Sequence, residues 1–173
     1  LLDAIYQKTS IWNTYQPETY KLPRRVSGIT TISLALKTKV SIGGILFKKS
    51  EKAFSPIKGI ECDAVFGDSF RKEDTAIREI GNNVTVEYRG MDFGDKGTSK
   101  IYITGYTPND VNSIHLVTGD GENEQRSIID FPHTDGTVTL AFDIERITGE
   151  KTVRFIFLPG SIFNLEEFRF EES

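Results

Sequence analysis

The chain is poor in cysteine, histidine and tryptophan, and each shortage closes off a class of function. Its single cysteine, Cys62, excludes an internal disulfide and is expected as a small apolar packing residue. Two histidines, His115 and His133, without a cysteine partner make a poor zinc site. No apolar run approaches the ~20 residues that span a bilayer, so no membrane partner is expected. Positive charge is not in excess. The net charge is −4 and the Lys and Arg residues are scattered, so nothing points to nucleic acid. There is no nucleophile elbow, phosphate-binding glycine loop or metal-ligand cluster, and no carboxylate pair is placed across a cleft by its spacing. The chain is therefore read as non-catalytic. It lacks a signal peptide, but residue 1 falls inside what reads as a strand, as in a piece of a longer protein, so that lack says nothing of export.

What the chain does have is strand pattern. At 38% hydrophobic and 27% charged it has an ordinary globular composition, and 173 residues suit one domain with an appendage. Twelve Phe and six Tyr supply a sizeable core. Period-2 or β-branched runs occur at 29–36, 40–47, 84–88, 100–104, 113–118, 127–131, 137–142, 152–158 and 165–170. Turn residues separate them: Gly43-Gly44, Asn82-Asn83, Gly94-Asp95, Pro108-Asn109, Gly119-Asp120-Gly121 and Pro159-Gly160. Val84, Val86 and Tyr88 share one face, as do Val153, Phe155 and Phe157. This spacing predicts an all-β chain built as an antiparallel β-sandwich. Only Glu73–Glu79 hints at helix.

One pattern occurs twice. Residues 27–47, SGITTISLALKTKVSIGGILF, and 148–170, TGEKTVRFIFLPGSIFNLEEFRF, align Gly28 with Gly149, Thr31 with Thr152 and Phe47 with Phe170. The copies lie about 120 residues apart, about one domain. Residues 1–49 are therefore expected to be the C-terminal half of a preceding related module, or extra strands, and 53–173 a complete domain. Polar Ser50–Pro56 is the expected junction. Half a sandwich leaves sheet edges unpaired, so 1–49 is expected to pack on the complete domain or on another chain.

The ordered motifs of 53–173 carry a resemblance. They are Thr85-Val86-Glu87-Tyr88, Met91-Asp92-Phe93-Gly94, Pro132-His133-Thr134-Asp135-Gly136, Ile147-Thr148-Gly149, Val153–Phe157 and Phe163-Asn164-Leu165-Glu166-Glu167-Phe168-Arg169-Phe170. This set resembles carbohydrate-binding module family 6. The wording IGNNVTVEYRGMDFG and VRFIFLPGSIFN is similar to the C-terminal region of bacterial glycoside hydrolase family 2, the β-galactosidase type. The resemblance implies a jelly roll, galactose-binding-domain-like, carried as a non-catalytic accessory module. Its implied partners are a glycan, galactose-containing or of plant origin, and the catalytic domains of a parent enzyme. In the family a sugar ring sits between two aromatic rings at the loop end, and an asparagine before the last strand bonds its hydroxyls. Apolar C–H faces stack on rings while hydroxyls need directional partners. Here Asn164 holds the asparagine position. The first ring position falls at about Glu79, and the second at Thr137 or, aligned without a gap to Trp12, at His133. The shorter copy keeps Trp12, in Ile11-Trp12-Asn13-Thr14, but has Ser41 in the asparagine place. Neither copy carries a full set, so the alternative is a spacer or oligomerisation domain with a decayed sugar site.

The family also often holds a structural calcium between acids of the first strand and the acid of the closing motif. Glu166 holds the closing place, whereas Lys58 and Ile60 stand at the opening ones, with Glu61 and Asp63 beside them. Two lost carboxylates count against a cation that wants several oxygens, so no cofactor is expected and a structural calcium is left as the disfavoured alternative.

Other motifs have plain readings. Asp92-Phe93-Gly94 has the letters of a kinase triplet without its companions and reads as a strand end and turn. Asp120–Glu124 is acidic but lacks the glycine and closing glutamate of a calcium-binding hand, and reads as a solvated loop. Asn83-Val84-Thr85 matches the glycosylation sequon by chance. His115 falls inside a strand run and is structural, while His133 lies in a loop open to ligand. Asn164 serves equally as a turn residue.

Overall fold

A computed structural model describes residues 2–9, 11–20, 22, 31–47 and 52–173. The chain forms two compact units, Leu1–Lys49 and Ser50–Ser173.

The described residues of the first unit form no helix or strand. The runs expected as strands at 29–36 and 40–47 thus form none over 31–36 and 40–47; residues 29 and 30, and Gly28 of the shorter repeat copy, lie outside the described residues. β-Branched side chains favour a pleated backbone, but a strand persists only where a neighbour completes its hydrogen-bond ladder. Local order is modest. A turn closes with Thr14 N–H donating to the Ile11 carbonyl at 3.2 Å. The Tyr15 ring lies so near Gly43 that a Cβ there would meet it at 2.9 Å.

The second unit is an antiparallel β-sandwich. Its strands are β1 (Ile57–Lys58), β2 (Ala64–Phe66), β3 (Arg71–Lys72), β4 (Ile77–Ile80), β5 (Val84–Asp92), β6 (Thr98–Tyr106), β7 (Val111–Thr118), β8 (Gln125–Pro132), β9 (Val138–Ile147), β10 (Glu150–Phe157) and β11 (Phe163–Phe170). One sheet runs β3-β4-β11-β6-β9, with β1 also pairing β11, and the other runs β2-β5-β10-β7-β8. Every strand expected between residues 84 and 170 is present. The short strands β1 to β4 carry too few residues to show a period in sequence.

Bulges give the sandwich its inward faces. In β11, Leu165 and Phe168 are both buried although three residues apart, because the register slips between Leu165 and Glu167. In β5, Tyr88 and Met91 are both buried across a slip that contains Gly90 at φ 63°. In β4, Ile77 and Ile80 are both buried because two residues there oppose only Asn164 of β11. One extra residue resets the period-2 alternation, so both flanking apolar side chains reach the core. That core is rich in edge-to-face rings. Phe168 stands 4.6 Å from Tyr88 and 4.8 Å from Phe155, and Phe93 stands 4.8 Å from Phe170.

One expectation is corrected. Glu73–Glu79 is not helical: Ile77–Ile80 is strand β4 and the residues before it are loop. Seven residues cannot offset the cost of nucleating a helix, whereas pairing with β11 buries Ile77 and Ile80. Within the expected junction, residues 52–54 pack on the sandwich. Ala53 is fully buried, Phe54 packs edge-on against Phe93, and Lys52 Nζ donates to the Arg89 carbonyl at 2.7 Å. Cys62 is half-buried against the core, and burial raises its thiol pKa.

Candidate functional site

The strand pairings bring five loops to one end of the sandwich: 67–70, 81–83, 107–110, 133–137 and 158–162. Short polar side chains lace them together. Asn82 Oδ1 accepts the Gly160 N–H at 2.7 Å, and Asn109 Nδ2 donates to the Gly160 carbonyl at 2.9 Å. Thr107 Oγ1 donates to the Ile162 carbonyl at 2.7 Å, while buried Asn112 accepts the Ile162 N–H at 3.0 Å. These bonds hold irregular backbone that has no ladder of its own.

On the solvent side of the first sheet, Asn164 stands opposite Tyr106 in the β11–β6 pairing. Gly105 pairs with Val138, so continuing that register sets Thr137 beside Tyr106. Gly105 is required there: a Cβ would meet the Phe163 ring at 2.4 Å and the Asn164 carbonyl at 2.7 Å. Asn164 Oδ1 accepts the Glu79 N–H at 2.9 Å. Glu79 has φ 52°, a left-handed conformation costly for a non-glycine residue, and this bond helps hold the β4 bulge. The amide is thereby oriented, and its Nδ2 donor makes no hydrogen bond among the described residues. The Glu79 carboxylate is exposed, 3.3 Å from Arg71 Nη2.

Asn164, Glu79 and Thr137 thus share one end of one face. Tyr106, a half-buried ring between Asn164 and Thr137, escaped the sequence reading. Its available signal was its place at a strand end directly before the Thr107-Pro108-Asn109 turn. His133 lies in the same group of loops. Its N–H donates to the Asp110 carbonyl at 2.9 Å, its Nδ1 lies 3.1 Å from the Pro108 carbonyl, and its Nε2 lies 3.5 Å from Asp135 Oδ1. Trp12 belongs to the first unit, 93% exposed on the 11–14 turn.

The acids near the implied calcium position do not converge. Glu61 Oε2 accepts the Lys58 N–H at 2.7 Å, and Asp63 Oδ2 accepts the Arg89 N–H at 2.6 Å. Glu166 Oε1 faces Arg78 Nη1 at 2.7 Å. Among the described residues no group of three or more His, Cys, Asp or Glu is set to hold a metal ion. This donor set does not fit a hard cation.

The remaining motifs resolve as turns and loops. Asp92 Oδ1 accepts the Gly94 N–H at 2.9 Å at the end of β5. Arg154 bonds Asp120 at 2.6 Å and Glu124 at 2.8 Å, offsetting part of the charge of the acidic loop. A polar depression of about 330 Å³ lies beside that loop, lined in part by Asp120, Glu150 and Thr152.

No family model matches the chain. Endo-1,4-beta-xylanase A of Thermoclostridium stercorarium is 27% identical over 115 residues, covering 57% of this chain and 22% of that enzyme. The chain therefore spans under a quarter of its curated relative. Among solved structures, CsCBM6-3 from Clostridium stercorarium in complex with cellobiose matches with a TM-score of 0.61 at 22% identity, covering 70% of this chain and 95% of that one. A family 6 carbohydrate-binding module from Clostridium cellulolyticum in complex with xylose matches with a TM-score of 0.59 at 19% identity, covering 69% and 98%. The sandwich has the fold of the family 6 carbohydrate-binding modules.

Proposed function

We propose that the Ser50–Ser173 unit is a non-catalytic carbohydrate-binding module of a glycoside hydrolase, taking a glycan at its loop end beside Asn164, Tyr106 and Thr137. One observation carries this reading: the backbone N–H of Glu79 donates to Asn164 Oδ1 and so orients the amide, leaving its Nδ2 group as the donor for a ligand. A fixed donor beside an aromatic ring suits a sugar, whose hydroxyls need directed bonds and whose C–H face needs a flat apolar surface. Thr137 and His133 add hydroxyl and imidazole partners at the rim. The two similar structures are complexes with cellobiose and xylose, which supports a glycan as ligand class. The sequence wording favours a parent enzyme of the β-galactosidase type, and the curated relative is a xylanase, so galactose-containing and plant-wall glycans are the ligands to try. With one ring in place of two, affinity is weak.

A second reading, a scaffold with a decayed site, draws on the absence of rings at Glu79 and Thr137. A glycan array separates the two. Asn164→Asp keeps the acceptor for the Glu79 N–H and removes the Nδ2 donor. Selective binding by the folded chain, lost in Asn164→Asp with the Tm retained, is expected for a carbohydrate-binding module. Silence from folded wild-type protein would favour the scaffold.

A further inference from the structure

Glu166 sits at a joint between short strands of the first sheet. It lies between Leu165, which pairs with Ile77 of β4, and Glu167, which pairs with Lys58 of β1. The two short strands share one edge of β11, and ladders of two and four residues provide few bonds to hold it. The Glu166 side chain is only 18% exposed, and its buried Oε1 takes no well-directed hydrogen bond among the described residues. A carboxylate so placed needs a counter-charge.

Arg78 supplies one. Its Nη1 stands 2.7 Å from Glu166 Oε1 and its Nε 2.5 Å from Glu73 Oε2. Glu73 Oε1 in turn meets Arg71 Nη2 at 2.8 Å, and Arg71 reaches Glu79 at 3.3 Å. The charges alternate from the joint to the bulge beside Asn164: Glu166, Arg78, Glu73, Arg71, Glu79. The cation beside Glu166 is covalently part of the strand it holds.

We infer that Arg78 replaces a bound calcium as the cation of this joint, so that the module folds independently of calcium. Three features converge. Lys58 stands at a position where the resemblance implies an acidic ligand, and Glu61 and Asp63 each accept a backbone N–H. The Arg78 guanidinium already stands on Glu166 Oε1. A planar, permanently charged guanidinium can bridge two carboxylates from a fixed position, which the compact ammonium of lysine does less well. The inference does not depend on glycan binding.

Thermal unfolding of the whole chain tests it, in excess calcium and in EDTA, for wild type, Arg78→Lys and Arg78→Ala. The wild-type Tm is expected to be the same in both. Arg78→Ala is expected to lower it by about 5 °C or more, because it leaves Glu166 buried and unpaired. Arg78→Lys, which keeps the charge but loses the fork, should fall between. A wild-type Tm raised by several degrees in calcium, as a ligand far above its Kd would raise it, overturns the inference. So does an Arg78→Ala chain that melts with wild type. The wild-type comparison is decisive even if a variant fails to fold.

Discussion

Asn164 commits its amide oxygen to the fold, and in the proposed site it offers its nitrogen to a glycan. The sequence marked the position, but only the structure shows that the oxygen is already committed to the Glu79 N–H. Tyr88 carries a different kind of consequence. Its hydroxyl donates to the Gly59 carbonyl at 2.8 Å inside the core, and burial, followed by the nearby Cys62, Glu61 and Asp63, raises its pKa above 10.0. Below pH 10 the phenol is neutral in both the folded and unfolded chain, so its contribution is fully present. As the pH rises further the unfolded chain ionises first, and stability is expected to fall by about 1.4 kcal/mol per pH unit until the folded phenol also ionises. Denaturant titrations between pH 9 and 11 would measure this. Tyr88→Phe should remove that component of the alkaline slope, at a constant cost of about 1 kcal/mol for the lost hydrogen bond.

At the scale of elements, the bulges decide which residues meet. Strict alternation in β11 would put Phe168 on the face opposite Leu165, and in β4 it would separate Ile80 from Ile77. Strands with an unbroken period, such as Thr152–Phe157, were legible because their alternation matches their burial. β4 was not, because two inward residues three apart resemble helical spacing. Glu79 bears the backbone strain of that bulge, so Glu79→Gly is expected to stabilise the chain by about 0.5–1 kcal/mol, with the entropy of glycine offsetting part of the relief. Its ion pair with Arg71 is well exposed and offsets little. Equilibrium unfolding in urea would decide; a loss of stability would show that the carboxylate contributes more than the strain costs.

For the whole molecule, the aromatic core lies entirely between Ala53 and Phe170. A chain of Ser50–Ser173 is therefore expected to fold alone with a single cooperative transition, checked by circular dichroism and calorimetry. A truncated chain that stayed unfolded would mean that residues before Ser50 complete the core. Composition and periodicity by themselves determined the all-β class and the long strands between residues 84 and 170, while the candidate asparagine came from the family resemblance. The class and the strands depend on local alternation and turn chemistry, which adjacent residues express. Only the tertiary structure decided that Tyr106 stands beside Asn164, that Arg78 faces Glu166 and that the acids near Lys58 turn to backbone donors. Each depends on register between strands distant in sequence, and one bulged residue is enough to change which side chains meet.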